Sequence, residues 1–424
     1  MRWTQRIVNA VRGARAERPR PGRLILPRSA DTQRDYPTAG LTPTRLLAIL
    51  REMDDGAPAS AMHLFEDMEE KDAHLFAVAN TRRLALTGLA WQVVSAAETR
   101  TDVDRGRAEE AAAYCRSVLA GLDMFEEFAQ HLALALGRNI AVGEIVWDAV
   151  GGRLQPVDLV PVDFARLVFD DLDGPRILTE DEPREGIALL PNKFVVHTPH
   201  SVSGHPQRGG LLRVTALMFL AKNLTLKDWL VFSEIFGMPV RVARYEPGAT
   251  AEEKQEMLRM LETLGMHAAG IFSKAIELQF LQGGSYGSGP PYEHLVEFLN
   301  REISKAWLGQ TLTTDTSGQR AALASTQIHE MVRKDVLADD IRKEGRTLRR
   351  DLLGPLTRMQ FGPDAPVPYF TRQPGQFRSV DERIRVLAAA VNQLGLRIPQ
   401  RWVHETLGLP QASAEEPALP GATR

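Results

Sequence analysis

His197 and His200, three residues apart in KFVVHTPH, are the nearest this 424-residue chain comes to a paired catalytic or metal-binding histidine. With Asp163 upstream they would form the core of an unrecognised enzyme. The same residues equally suit packed or surface positions in an extended turn, and there is no obvious third ligand. His329-Glu330 begins like a zincin helix, but no second His follows at the spacing that zinc needs. Asp148, Asp158 and Asp163 fall among short strands, where aspartates commonly bond their own turns. Ser233, Thr313 and Ser317 have no evident base, and no Gly-x-Ser-x-Gly elbow occurs. The GGSYGSGPP stretch lacks the Gly-Lys-Ser/Thr ending of a phosphate loop. The expectation is no catalytic residue, no metal site and no cofactor.

Composition narrows the class further. An apolar share of 44% and a charged share of 25% are ordinary for a folded protein. A net charge of −3 argues against gripping nucleic acid by overall basicity, though not against letting it pass. The single cysteine, Cys115, excludes an internal disulfide framework and fits a reducing compartment. It lies in EEAAAYCRSVLAGL, where a packed thiol is expected. The length predicts two to three domains. The first 40 residues hold nine Arg and four Pro and read as a basic, largely flexible arm without a signal-peptide core. No membrane segment is expected.

The remaining charges of interest interrupt an apolar run, Gly210–Phe236, which predicts one long helix. Arg213, Lys222, Lys227, Asp228 and Glu234 lie within it, each costly in a bilayer. Arg213, Lys227 and Glu234 sit at multiples of seven and share one face. Such a helix is expected to be packed on most sides by protein, with one polar stripe facing water.

The elements around it follow from periodicity and punctuation. Thr42 and Pro43 open a helix that Gly56 ends. Helical periodicity runs over Ala59–Asn80, and Leu89–Ser95 alternates like a strand. Residues 104–137 read as helix with a break near Gly121. Gly151-Gly152 predicts a hairpin between VWDAV and RLQPVDLV, and PNKFVVHTPH a further strand. After the long helix, VRVARYE and Ala275–Leu281 read as strands. Between them lies a helix capped by Thr250, with Glu253 completing a capping box. PYEHLVEFLNREISKAWLG is a second helix, followed by the polar loop QTLTTDTSGQ. A third helix is expected from Arg320 to Leu353, bent at Gly345 and stopped by Gly354-Pro355. PVPYFTRQ is a strand, and two small helices split at Gly395 and Pro399 close the chain.

Two long helices thus bracket a strand–helix–strand insert, and a third follows a Thr/Gly loop. Helices this extended gain most when neighbouring copies cover their sides, as in a closed ring. The chain resembles the Mu-like family of tailed-phage portal proteins. The likeness is carried by EDMEEKDAHL, TRRLALTGLAWQV, GRNIAVGEIVWD, PNKFVVHTPHSVSGHPQRGGLLR, AKNLTLKDWLVFSEIFGMPVR, SKAWLGQTLTTDTSG and HEMVRKDVLADDI, over roughly residues 40–362.

That resemblance implies a mostly helical α+β portal fold. Residues 1–39 would be the basic arm, 40–209 a wing, 210–237 the first stem helix and 238–291 a clip. Residues 292–310 would be the second stem helix, 311–319 the tunnel loop, 320–379 a long wing helix with a strand, and 380–424 a small crown-like region with a tail. It also implies a head-tail connector portal, a dodecamer at one capsid vertex of a bacteriophage or prophage virion. Double-stranded DNA would be packaged and ejected through its channel, and assembly would occur in the host cytoplasm. The implied partners are the terminase large subunit, a head-tail connector or adaptor, the major capsid protein and scaffold, with no membrane. Arg213, Lys222, Lys227 and Glu234 are the channel-stem candidates. Inter-subunit pairing of the cations with Asp228 and Glu234 is the other reading. Thr313, Thr314, Asp315, Thr316, Ser317, Gly318 and Gln319 form the implied tunnel loop. Glu252, Glu253, Lys254, Glu256 and Arg259 form the implied docking face of the clip. Another ring-forming head or connector protein is the nearest alternative.

Overall fold

A computed structural model of the chain describes residues 23–25, 37–170, 174–200, 205–236, 240–244, 250–263, 277–281, 291–311, 323–373 and 380–407. The chain divides into two compact units, Met1–Arg372 and Gln373–Arg424.

In the first unit, helix α1 (Pro43–Asp54) starts where expected: the Thr42 hydroxyl accepts from the Arg45 N–H, and Pro43 takes the first turn. The stretch from Ala59 is two helices rather than one, α2 (Ala59–Lys71) and α3 (Ala73–Thr87). Asp72 divides them. It has extended dihedrals, and its carboxylate accepts the N–H groups of His74 and Leu75 at 3.0 Å. A capping Asp stops one helix and starts the next. Strand β1 (Trp91–Val94) follows, then α4 (Arg105–Ala120), α5 (Phe125–Ala133) and the short α6 (Ala135–Arg138).

The organising sheet runs in the order β3-β2-β7, from β2 (Ala141–Val150), β3 (Arg153–Pro161) and β7 (Phe194–His197), all antiparallel. Gly151 and Gly152 make the expected hairpin turn with φ of 59° and 77°. Successive side chains of a strand point to opposite faces. Val142 joins a core built from α1, α2, α3 and the long helices, with Phe65, Phe219 and Trp307 among its members. Ala141 and Ile145 join a second core with Cys115, Phe128, Leu348 and Phe370. One strand therefore holds two cores together, which is why its first six residues are all buried. A smaller sheet orders β4 (Leu167–Asp170), β5 (Gly174–Ile177) and β6 (Ile187–Ala188).

Next come α7 (Leu211–Phe236), β8 (Val240–Arg244), α8 (Ala251–Thr263), β9 (Glu277–Leu281), α9 (Pro291–Leu308) and α10 (Leu323–Leu348). The third long helix does not stop at Gly354-Pro355. It loosens into a π turn at Arg349–Leu353 and resumes as α11 (Gly354–Phe361). Pro355 is tolerated because it falls in the first turn after the π segment, where its missing N–H is not needed. At Gly345 α10 continues unbroken. A Cβ there would lie 2.4 Å from the carbonyl oxygen of Phe370 on β10 (Tyr369–Arg372), which pairs with β1. Gly345 is needed for a close helix–strand crossing.

The π turn also serves the outer edge of β7. Asp351 Oδ2 accepts the N–H of Val196 at 2.9 Å, and Arg350 Nη2 donates to the carbonyl oxygen of Val196 at 2.7 Å. Two side chains thus occupy groups that another strand would otherwise take. In the second unit, α12 (Val380–Asn392) and α13 (Gln400–Leu407) are separated at Gly395 and Pro399 as expected.

Candidate functional site: the long helices and their anchorage

Helices α7 and α9 pack along each other in opposite directions. Leu212, at the start of α7, and Trp307, near the end of α9, meet over Gly137. At the other end, the Phe232 and Tyr292 rings lie 5.6 Å apart. The apolar spacing of both helices accounts for this pairing: Phe219 and Leu220 of α7 and Ile303 and Trp307 of α9 enter the first core.

The polar stripe of α7 divides in two. Its first half faces the body of the same subunit. Arg213 Nη2 donates to Asp54 Oδ2 of α1 at 2.9 Å. Leu220, next on the same face, is buried. Lys222 is 8% exposed, and its ammonium meets the Asp72 carboxylate at 2.7 Å. That carboxylate also caps α3, so Lys222 neutralises a helix-capping charge inside one subunit. This corrects two expectations for Lys222, that it faces a channel and that it pairs with a neighbour's Asp228 or Glu234. Arg213, half-buried against Asp54, is likewise committed within its own chain. The charges of the second half, Lys227, Asp228 and Glu234, are all exposed.

Beside the exposed charges runs an unexpected apolar ladder. Val214, Leu217, Leu224 and Val231 are 62%, 57%, 42% and 46% exposed. Their spacings, with Ala221 and Asp228 between, follow the three-four alternation of a coiled-coil seam. On α9, Leu295 and Phe298 are also exposed. The ladder was readable in the sequence as apolar density, but which side the subunit itself would cover was not.

The third helix is held mainly by buried charge. Arg82 of α3 grips Asp340 through Nε and Nη2 at 2.9 and 3.0 Å, and its Nη1 donates to the Trp307 carbonyl at 2.8 Å. One guanidinium thus ties the end of α9 to α10, on either side of the polar loop. Four residues along, Glu344 makes a buried two-point pair with Arg372 at 2.7 and 2.9 Å. Burial pushes the Glu344 carboxyl upward, against the pull of Arg372. Arg372 also donates to the Leu89 carbonyl at 2.9 Å. None of these pairs was read from the sequence. Arg82 and Arg372 carry no local motif; only their partners, over 200 and 28 residues away, make them informative.

The residues of the enzyme alternative have separate local partners. His197 is buried, with Nδ1 2.9 Å from the Thr347 hydroxyl, and burial pushes its pKa down to about 3. His200 lies 3.2 Å from the Lys343 ammonium, and burial, reinforced by Lys343 and Arg82, lowers it to about 4. Asp163 accepts the Ala165 N–H at 2.8 Å to start a single turn. Asp148 and Asp158 accept the N–H groups of Ala149 and Leu159. Cys115 is a packed thiol, 3.4 Å from Thr357 Oγ1. Among the described residues no group of three or more His, Cys, Asp or Glu is arranged to hold a metal, and no helix is long and apolar enough to cross a membrane.

In the insert, β8 and β9 pair antiparallel from Val240↔Leu281 to Arg244↔Glu277. The capping box of α8 forms as expected, with Thr250 N–H on Glu253 at 2.8 Å and Glu253 N–H on Thr250 at 3.3 Å. Glu252, Glu253, Lys254, Glu256 and Arg259 are all exposed on it. Thr313, Thr314, Asp315, Thr316, Ser317, Gly318 and Gln319 lie outside the described residues.

A family profile described as the portal protein of Mu bacteriophage matches residues 62–409. The portal protein of Escherichia phage Mu is 30% identical over 390 residues, which cover 90% of this chain and 73% of the relative. The Mu-like prophage FluMu protein gp29 of Haemophilus influenzae is 29% identical over 393 residues, 91% of this chain and 74% of its own length. Among solved structures, a chain from the neck of an empty gene transfer agent particle has a TM-score of 0.53 at 15% identity, covering 88% of this chain and 97% of that one. A chain of the native gene transfer agent virion also scores 0.53, at 12% identity, covering 90% and 97%. At these identities the likeness is one of fold.

Proposed function

The chain belongs to the Mu bacteriophage portal protein family, structural proteins of the phage head rather than enzymes, and from that premise we propose how its parts work. Copies of the chain close into a ring at one vertex of a capsid, about twelve as the family resemblance implies, through the heterologous contacts that cyclic symmetry requires. The ring is a channel for double-stranded DNA during packaging and ejection.

The observation that carries this reading is the apolar ladder Val214, Leu217, Leu224 and Val231, large apolar side chains that the described residues of their own subunit leave 42–62% exposed. A patch of this kind marks an interaction site. In the ring, α7 and α9 are the stem helices and the ladder packs on the next copy. Lys227 and Glu234, which lie off that seam, then turn towards the lumen. Exposed charges of both signs give weak, screened contacts that let duplex slide and carry no sequence readout. Residues 238–291 form the clip, whose charged α8 face docks the terminase large subunit and later a head-tail connector or adaptor. Residues 311–319 form the tunnel loop. Arg82, bonded to both Trp307 and Asp340, ties the end of α9 to the middle of α10, the two helices that flank that loop. The wing contacts the major capsid protein and scaffold, and assembly takes place in the host cytoplasm.

End-on electron microscopy of the purified full-length chain tests the ring. The expected image is a closed ring with a hole wide enough for duplex DNA. Leu217→Asp with Leu224→Asp should leave a folded chain that no longer closes. A compact monomer under every condition, or unchanged rings in the double variant, would sink the proposal. Deleting Thr313–Gln319 should leave rings intact while impairing DNA packaging or retention.

A further inference from the structure

The short segment Arg23–Ile25 is fastened to the body at a point far from its place in the sequence. The backbone N–H of Leu24 donates to Oε1 of Glu144, and that of Ile25 donates to Oε2 at 2.7 Å. Two successive N–H groups thus donate to the two oxygens of one carboxylate, a charge-assisted arrangement. Glu144 lies on β2 with no exposed surface. A further partner is the Lys193 ammonium at 3.0 Å, which also donates to the Ile145 carbonyl at 2.9 Å. Ile25 is 3% exposed and joins the first core beside Val142 and Phe194.

A fully buried carboxylate on the central strand of a sheet is costly unless its lone pairs are filled. Nothing in the proposed channel, clip or loop makes use of Glu144. Its chemistry instead matches the segment bound to it: backbone donors for the carboxylate, and one branched apolar side chain for the first core. We propose that Glu144 and Lys193 form a peptide-docking site that takes the Leu24-Ile25 segment of the chain's own N-terminal arm. Residues 23–25 of the arm are held against the body; residues 1–22 and 26–36 lie outside the described residues. The site selects for two consecutive free N–H groups, the second belonging to an Ile-like residue. Pro at either position would remove a donor.

The test uses the full-length chain carrying Ile25→Asp, whose own arm no longer fits the apolar space. It is titrated with a labelled peptide of residues 20–30 (RPGRLILPRSA). Saturable binding is expected. Binding should be weaker by roughly tenfold or more to the wild-type chain, whose own arm competes at high effective concentration. It should weaken similarly when Glu144→Gln is added, because the amide NH2 then confronts a backbone donor and a charge-assisted hydrogen bond is lost. The peptide bearing Ile25→Asp should not bind. No binding to the Ile25→Asp chain, or undiminished binding after Glu144→Gln, would overturn the proposal. Hydrogen exchange on the unaltered chain decides the matter if a variant fails to fold. The Leu24 and Ile25 amides should exchange slowly in the wild-type protein, and free-peptide rates there would refute a docked arm.

Discussion

Replacing Gly345 by Ala should destabilise the protein, although the general rule for a helix interior gives the opposite sign. Glycine there normally costs about 1 kcal/mol relative to Ala, so a substitution free of clashes would be stabilising by that amount. In this chain the new Cβ would stand 2.4 Å from the Phe370 carbonyl oxygen, where real contacts essentially never fall below 3.0 Å. Helix α10 and strand β10 must therefore part by about 0.6 Å, and both obstacles are backbone. Overpacking of this kind costs about 1–3 kcal/mol. The same crossing carries the Glu344–Arg372 pair at 2.7 and 2.9 Å. Opening it stretches both bonds beyond good geometry, and a broken buried pair costs about 3–5 kcal/mol. With the pair partly kept, the net loss should be about 2–4 kcal/mol. Urea unfolding followed by tryptophan fluorescence would measure it. Hydrogen exchange should localise the loosening to β10 and the end of α10. A Gly345→Ala chain at least as stable as wild type would refute the argument that backbone approach selects this glycine.

Other outcomes follow from the same geometry. Lys222→Ala should cost about 3 kcal/mol by leaving Asp72 buried without its cation, whereas Lys227→Ala should change stability by less than about 0.5 kcal/mol. Equal effects in urea would contradict the buried pairing. His197, His131 and His200 are held at about 3, about 4 and about 4, chiefly by burial. Their folded values lie below the unfolded one, so their contribution is full above about pH 6.5 and is lost as pH falls, at about 1.4 kcal/mol per pH unit for each group. Unfolding midpoints measured from pH 7 to pH 5 should show that slope, and His197→Gln should remove one group's share. Burial pushes Cys115 up to about 11, so maleimide should label it only as fast as the native protein opens; rapid native labelling would contradict a packed thiol.

What could be read from the sequence was mostly local. Thr42, the Thr250/Glu253 box and Gly151-Gly152 act through neighbours within a few residues, and each does what its type requires. The long helix α7 was legible from apolar density alone. Its charges were not assignable, because Lys222 and Lys227 look alike until Asp72, 150 residues earlier, claims one of them. Asp72 hid for the same reason: helical periodicity continues through it, and only its capping bonds reveal the break. Gly354-Pro355 misled because a stop signal presumes an α-helix ahead of it, and the π turn shifts Pro355 into a permitted position. Gly345 reads from the sequence as a place for a bend, while its cause is a carbonyl 25 residues further on. The buried pairs of Arg82 and Arg372 have no sequence signature at all.

The cap on strand β7 has a consequence for a protein made in many copies. A bare strand edge is a copying template: any similar edge can add to it, and each addition exposes another. Arg350 and Asp351 present, from a single π turn, the one donor and one acceptor that would begin such growth at Val196. With those valences occupied, uncontrolled fibre-like propagation from this sheet is disfavoured. Subunits are left to associate through helix sides, whose angular geometry can close after a finite number of additions.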